Sequence, residues 1–154
     1  MNFFKEKQHK KHMEEKQFDF WQDHSRQFLD MAFMTERREV IERPDGYGKN
    51  SSGCGDTVEI YLIVKDGIIR HASFSSKGCI NTSACANTVL HMAEGKSVKD
   101  AWKISPNHVI GYLETLPASE HHCAELAIGA LHRALSNYQE NRREPWRKLY
   151  FTGR

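Results

Sequence analysis

The sequence predicts an α+β fold, a small antiparallel sheet of about three strands with helices packed on one face. Three observations carry it. Val58, Ile60, Leu62 and Val64 alternate with Thr57, Glu59, Tyr61 and Ile63, and Asp66-Gly67 turns this run into a return strand. Helical spacing governs the segments on both sides of that hairpin. A long apolar stripe of Cys123, Ala127, Ala130, Leu131, Ala134, Leu135 and Tyr138 marks the last helix.

Taken in order, Met1 to Gln17 is rich in Lys, Glu and His. It has neither the apolar stretch of a secretory signal nor the arginines of a transit peptide, so a cytoplasmic location is expected. Residues 1–21 read as a charged extension, of which residues 1–17 either prolong the first helix or stay loose. Phe18, Trp21, Phe28, Leu29, Ala32 and Phe33 share one face of a helix reaching Met34. Val40-Ile41 is the candidate third strand. Pro44-Asp45-Gly46-Tyr47-Gly48 reads as dense turn chemistry.

The return strand runs from Ile68 to about Ser76, with Ala72 and Phe74 two residues apart. After Gly78-Cys79 the spacing becomes helical, with Cys85, Val89, Met92 and Ala93 on one face and Gly95 as the stop. Ser97 caps a short helix from Val98 to about Trp102. Asn107 opens another, reaching Leu116 before Pro117, and Ser119 is placed as the cap of the last helix. Residues 22–140 form one domain in this reading, and residues 141–154 a basic, aromatic tail.

The chain has 154 residues, a length that fits one domain with a real core. Hydrophobic residues make up 39% and charged residues 27%, which excludes a wholly disordered chain. Lys and Arg number 22 against 20 Asp and Glu, a net charge of +2, so no electrostatic nucleic-acid binding is expected. No apolar run approaches the roughly 18 residues of a membrane span.

Four cysteines stand at 54, 79, 85 and 123. In a reducing compartment they suggest metal or thiol chemistry over disulfides. Cys54 lies between Gly53 and Gly55. Cys79 sits where a strand hands over to a helix, and Cys123 in the first turn of the last helix, where backbone N–H groups favour a thiolate. The glycines remove bulk beside the sulfur. Asp56, two residues after Cys54, shares its side of a strand and is a candidate fourth ligand. His122 is a second candidate. Cys85 lies six helical residues beyond Cys79, about 120° around the axis and roughly 9 Å along it, and reads as core. There is no C-x-x-C pair, so this is not a zinc finger. Three thiolates with one oxygen or nitrogen donor suit a [2Fe–2S] cluster or a zinc ion, and one weaker ligand favours a cluster that is built and then released.

Gly53-Cys54-Gly55-Asp56, Lys77-Gly78-Cys79 and His122-Cys123-Ala124-Glu125-Leu126-Ala127 resemble the IscU/NifU family of iron–sulfur scaffold proteins. Pro44-Asp45-Gly46-Tyr47-Gly48, Gly95-Lys96-Ser97-Val98 and Leu116-Pro117 extend the likeness over about residues 24 to 138. The resemblance implies assembly of a [2Fe–2S] cluster from iron and desulfurase-derived sulfur, then transfer to apo-proteins. It implies Cys54, Asp56, Cys79 and Cys123 as metal ligands and His122 as an additional cluster-binding residue. Cys123 is the implied persulfide acceptor, with Cys79 next. The implied partners are a cysteine desulfurase, an iron donor and recipient apo-proteins, and zinc is an alternative occupant.

Departures from the family pattern matter too. The usual Leu-Pro-Pro-Val-Lys loop reads Leu116-Pro117-Ala118-Ser119-Glu120, which speaks against a dedicated chaperone. Met34-Thr35-Glu36-Arg37-Arg38 replaces the usual Asn-Pro-Arg-Asn. Cys85 replaces a small residue. The rival function is a zinc-dependent persulfide acceptor of the SufU type, against which stand His122 and the lack of an obvious insertion between the second and third cysteines. A bland third reading is a domain in which zinc only holds the fold. The tail, with Arg142, Arg143, Arg147, Lys148, Trp146, Tyr150 and Phe151, is a candidate docking segment for a partner or a second copy of the chain.

Overall fold

The computed structural model of the chain describes residues 17–53 and 55–146. The element order is α1 (Phe20–Asp23), α2 (Arg26–Phe33), β1 (Gly46–Ser51), β2 (Thr57–Lys65), β3 (Ile68–Lys77), α3 (Ile80–Ala93), α4 (Val98–Ala101), α5 (Pro106–Leu113), a 3₁₀ turn (Ala118–Glu120) and α6 (His121–Arg143). The strands form one antiparallel sheet in the order β1-β2-β3. Gly48 pairs with Ile60, and Ile60 with Phe74. The helices cover one face: α6 lies over β1 and β2, and α3 over β3. This is the α+β architecture expected.

The alternation in β2 does what the sequence demanded. Val58, Ile60 and Leu62 are fully buried and meet Phe74, Leu90 and Leu131 in one core. Tyr61, on the opposite parity, is also buried, and its ring lies 5.3 Å from that of Tyr47. Helix α3 is the central helix, buried on nearly every side from Thr82 to Leu90. An amphipathic surface helix shows one apolar stripe, whereas α3 has α2, α6 and the sheet around it. Cys85 is 0% exposed within it, the core position expected.

Four expectations give way to tertiary structure. The helix placed over residues 18–34 is broken. His24 and Ser25 are extended, and Ser25 caps α2 by accepting from the Phe28 amide at 3.1 Å while donating to the Leu113 carbonyl at 2.6 Å. The third strand is Gly46–Ser51, not Val40-Ile41, and Val40 is largely exposed. The glycines that read as a turn let β1 lie against α6. A Cβ on Gly46 would come within 2.5 Å of the Ala134 carbonyl oxygen, and one on Gly48 would overlap the Ala130 carbonyl. Helix α5 starts at Pro106 behind a Ser105–His108 capping box and stops at Leu113, where Glu114 turns left-handed at φ 59°. Ser119 does not cap the last helix. It lies in the 3₁₀ turn, and Glu120 stands at the cap position without a side-chain capping bond.

Residues 1–16 of the charged extension, Cys54, and residues 147–154 of the tail lie outside the described residues. Among those described, no helix is long and apolar enough to cross a membrane.

Candidate metal centre

Three separate elements bring donor atoms to one end of the sheet. The first is the loop before β2. The Ser52 amide donates to the Asp56 carbonyl at 2.8 Å, and the Gly55 amide to the Ser52 carbonyl at 3.1 Å. Gly55 is left-handed at φ 90°, which suits glycine, and this closure sets Asp56 at the mouth of the strand. The second is the start of α3, where Cys79 is the N-cap residue and is exposed. The third is the start of α6, which carries His122 and the fully buried Cys123.

A buried hydroxyl joins the three. Thr82 Oγ1 donates to Asp56 Oδ2 at 3.2 Å and lies 3.8 Å from Cys79 Sγ and 3.6 Å from Cys123 Sγ. Thr82 is 0% exposed and sits one helical turn after Cys79. Gly78 makes room for it, since a Cβ there would stand 2.8 Å from Thr82 Oγ1 and 3.1 Å from Asp56 Cγ. Side-chain bulk is therefore the reason for glycine beside Cys79. At Gly53 and Gly55 a Cβ would meet no protein atom within 4 Å.

His122 is oriented for ligation. Its Nδ1 lies 3.1 Å from the Ser119 carbonyl oxygen, which only accepts, so Nδ1 carries the proton. Nε2 then lies 3.7 Å from Cys123 Sγ. Cys123 S–H points to Glu120 Oε2 at 3.5 Å. Burial pushes the Cys123 thiol up to about 12, and the nearby Cys79 and Glu120 charges act the same way against the hydrogen bond from Thr82. At Cys123, burial thus opposes the thiolate that the helix start would favour. Burial likewise raises the Cys85 thiol, with Cys123, Cys79 and Glu120 adding to it.

Among the described residues, two groups of donor atoms lie close enough to hold a cation: Asp56 with His122 and Cys123, and Cys79 with Glu120 and Cys123, each set within 4.8 Å. Sequence reasoning named four of these five residues. It missed Glu120 and the organiser Thr82, whose only signal was a hydroxyl three residues past a helix-capping cysteine. Cys54 lies outside the described residues. Cys79, Cys85 and Cys123 are free thiols. A groove of about 600 Å³ lined by Met92, Ile104 and Tyr112 shares no residue with the cluster.

Comparison with known proteins shows the family. Residues 29–145 match the NifU-like N terminal domain family. An iron–sulfur cluster assembly scaffold protein, IscU 1 of Archaeoglobus fulgidus, is 38% identical over 99 residues, which are 64% of this chain and 65% of that protein. The match thus spans just under two thirds of that relative's length. The IscU scaffold protein of Buchnera aphidicola subsp. Schizaphis graminum is 33% identical, covering 73% of this chain and 98% of that one. Among solved structures, the N-terminal part of a NifU-like protein from Brucella abortus superposes with a TM-score of 0.63 at 18% identity, over 75% of this chain and 94% of that one. A candidate scaffold of the SUF system from Fervidobacterium islandicum gives 0.62 at 20% identity, over 72% and 95%. Those two likenesses establish the shared fold, and the match over residues 29–145 establishes the kinship: the chain belongs to the NifU-like N-terminal domain family.

Proposed function

We propose that this chain is a scaffold on which an iron–sulfur cluster of the [2Fe–2S] type is assembled and then passed to apo-proteins. The observation that carries the reading is the convergence of Asp56, Cys79 and Cys123 from three elements onto one buried threonine, with His122 beside Cys123. Soft thiolates with harder oxygen and nitrogen donors suit iron bound together with sulfide. Cys54 is proposed to complete the set. The names of the IscU relatives support the same reading. The cluster is cargo here, and the protein acts as an assembly platform and not as a turnover enzyme.

Sulfur is proposed to arrive as a persulfide on a cysteine desulfurase. The Cys123 thiolate attacks the terminal sulfur, a new S–S bond forms, and the desulfurase cysteine leaves as its thiolate. Cys123 must first be uncovered. The side chains beside it, His122 and Glu120, are 42% and 31% exposed, so they form a thin cover. Exposed Cys79 is the second candidate acceptor.

Anaerobic reconstitution with iron, cysteine and a desulfurase tests the proposal, read by iron, acid-labile sulfide and visible absorption. Equal iron and sulfide are expected. They should be lost in Cys54→Ser, Cys79→Ser and Cys123→Ser and kept in Cys85→Ala. One zinc per chain that iron never displaces, with desulfurase stimulation and no retained sulfide, would favour the zinc-dependent sulfur acceptor.

A further inference from the structure

The donor that neither the sequence reading nor the family resemblance assigns is Glu120. Its Oε2 lies 3.5 Å from Cys123 Sγ and 3.8 Å from His122 Nε2, and those two atoms are 3.7 Å apart. Metal–sulfur bonds of about 2.3 Å and metal–nitrogen or –oxygen bonds of about 2.0–2.2 Å at a tetrahedral angle place donors about 3.4–3.6 Å apart. The three atoms therefore already stand near the spacing of one face of a tetrahedral site. Cys79 Sγ belongs to the same neighbourhood, within 4.8 Å of both Glu120 and Cys123.

We propose that Glu120 is a metal ligand, and that Glu120, His122 and Cys123 form a one-turn chelate that takes the first divalent cation. The three residues span four positions of chain at the 3₁₀-to-α junction, so the face comes preassembled on one element. The other donors, Asp56 and Cys79, come from the loop before β2 and from α3. The Ser119 carbonyl fixes the His122 ring. Glu120 makes no side-chain capping bond to α6, so its carboxylate is turned to His122 and Cys123. A carboxylate beside an imidazole and a thiolate is a borderline-to-hard set. It suits a first-row divalent ion such as Fe(II), with Co(II) as a spectroscopic stand-in. The inference rests on the proposed assembly role only for the identity of the natural ion.

The test is an anaerobic Co(II) titration of the full chain, comparing the unaltered protein with Glu120→Ala, Glu120→His and Cys123→Ser. Affinity comes from chelator competition, and ligation from the d–d bands and the thiolate-to-cobalt charge-transfer band. Glu120→Ala is expected to weaken Co(II) by about ten-fold or more, as even outer partners of ligands do. Its d–d bands should also shift while the charge-transfer band remains. Glu120→His should recover affinity with bands of its own, because it returns a donor without the charge. Cys123→Ser should weaken the charge-transfer band, leaving what Cys54 and Cys79 contribute. If the d–d bands of Glu120→Ala match those of the unaltered protein, whatever the affinity does, Glu120 is not a ligand and the proposal falls. Failure of the scaffold reading looks different: Co(II) spectra would depend on Glu120, yet reconstitution would retain no sulfide.

Discussion

Two helix starts meet at the donor cluster, and they treat their cysteines in opposite ways. At the start of α3, Cys79 is the cap residue and stands exposed. At the start of α6, Cys123 is the third helical residue and is fully buried beneath His122 and Glu120. Both lie within reach of the same helix-end N–H dipoles. Burial nevertheless pushes Cys123 up to about 12. At Cys123, burial therefore works against what the helix start offers a thiolate.

The largest expected effect separates the two sulfurs chemically. At pH 8 the folded chain should alkylate at Cys123 at least about 100-fold more slowly than the unfolded chain, from both lost access and a lost thiolate fraction. Exposed Cys79 should show far less protection. Peptide-level mass spectrometry of iodoacetamide adducts reads both at once. Equal protection at the two sites would erase the contrast between the helix starts.

The helices are also held differently, which gives a second way to break the comparison. Helix α6 is seated through backbone on Gly46 and Gly48, whereas α3 is surrounded by side chains. Gly48→Ala forces a methyl into the α6 backbone and is expected to destabilise the fold by about 3 kcal/mol. Urea denaturation measures this. In the remaining folded population Cys123 should alkylate faster, with Cys79 unchanged.

Thr82→Val acts on what the two starts share. It keeps the shape but removes the hydroxyl that donates to Asp56 and contacts both sulfurs. A loss of about 1 kcal/mol is expected, the usual contribution of such a hydrogen bond to a part-buried acceptor. Co(II) affinity should fall with it, because Asp56 is no longer held toward the cluster. Thermal unfolding and the cobalt titration check the two parts separately.

The same contrast explains what was legible in the sequence. Cys79 and Cys123 were placed at helix starts because Gly78 and the change of period mark α3, and the Ala-Leu stripe marks α6. The β2–β3 hairpin was legible from alternation and Asp66-Gly67. Strand β1 was not, because Gly46-Tyr47-Gly48 carries turn residues. Only its contact with the α6 backbone makes glycine a strand residue there. The break at His24-Ser25 was hidden for a similar reason: Ser25 and His24 spend their hydrogen bonds on Leu113 and Thr115, about 90 positions away. Thr82 and Glu120 carry no motif. Their roles exist only once α3, α6 and the loop before β2 have converged.

The smallest expected effect concerns the approach to α6 alone. His24 Nδ1 lies 2.8 Å from Thr115 Oγ1, and the His24 ring stacks on Phe28 at 3.8 Å between centroids. Phe18 and Phe20 meet the same ring edge-on. Burial among these rings lowers the His24 pKa from its ordinary 6.5, outweighing the opposite pull of Asp23. The unfolded chain therefore binds a proton more readily than the folded one. The stability this histidine contributes is complete above pH 6.5 and declines as the pH falls below it, levelling off beneath the folded-state pKa. The loss should appear where His24 is anchored, in the segment from Thr115 to Glu120 that leads to Cys123. Amide exchange there should quicken between neutral and mildly acidic pH, while Ile80–Ala93 keeps its protection. His24→Gln, which does not titrate, should flatten the dependence. Exchange that quickens equally in α3 would mean that the two helix starts are coupled through the core and not independently held.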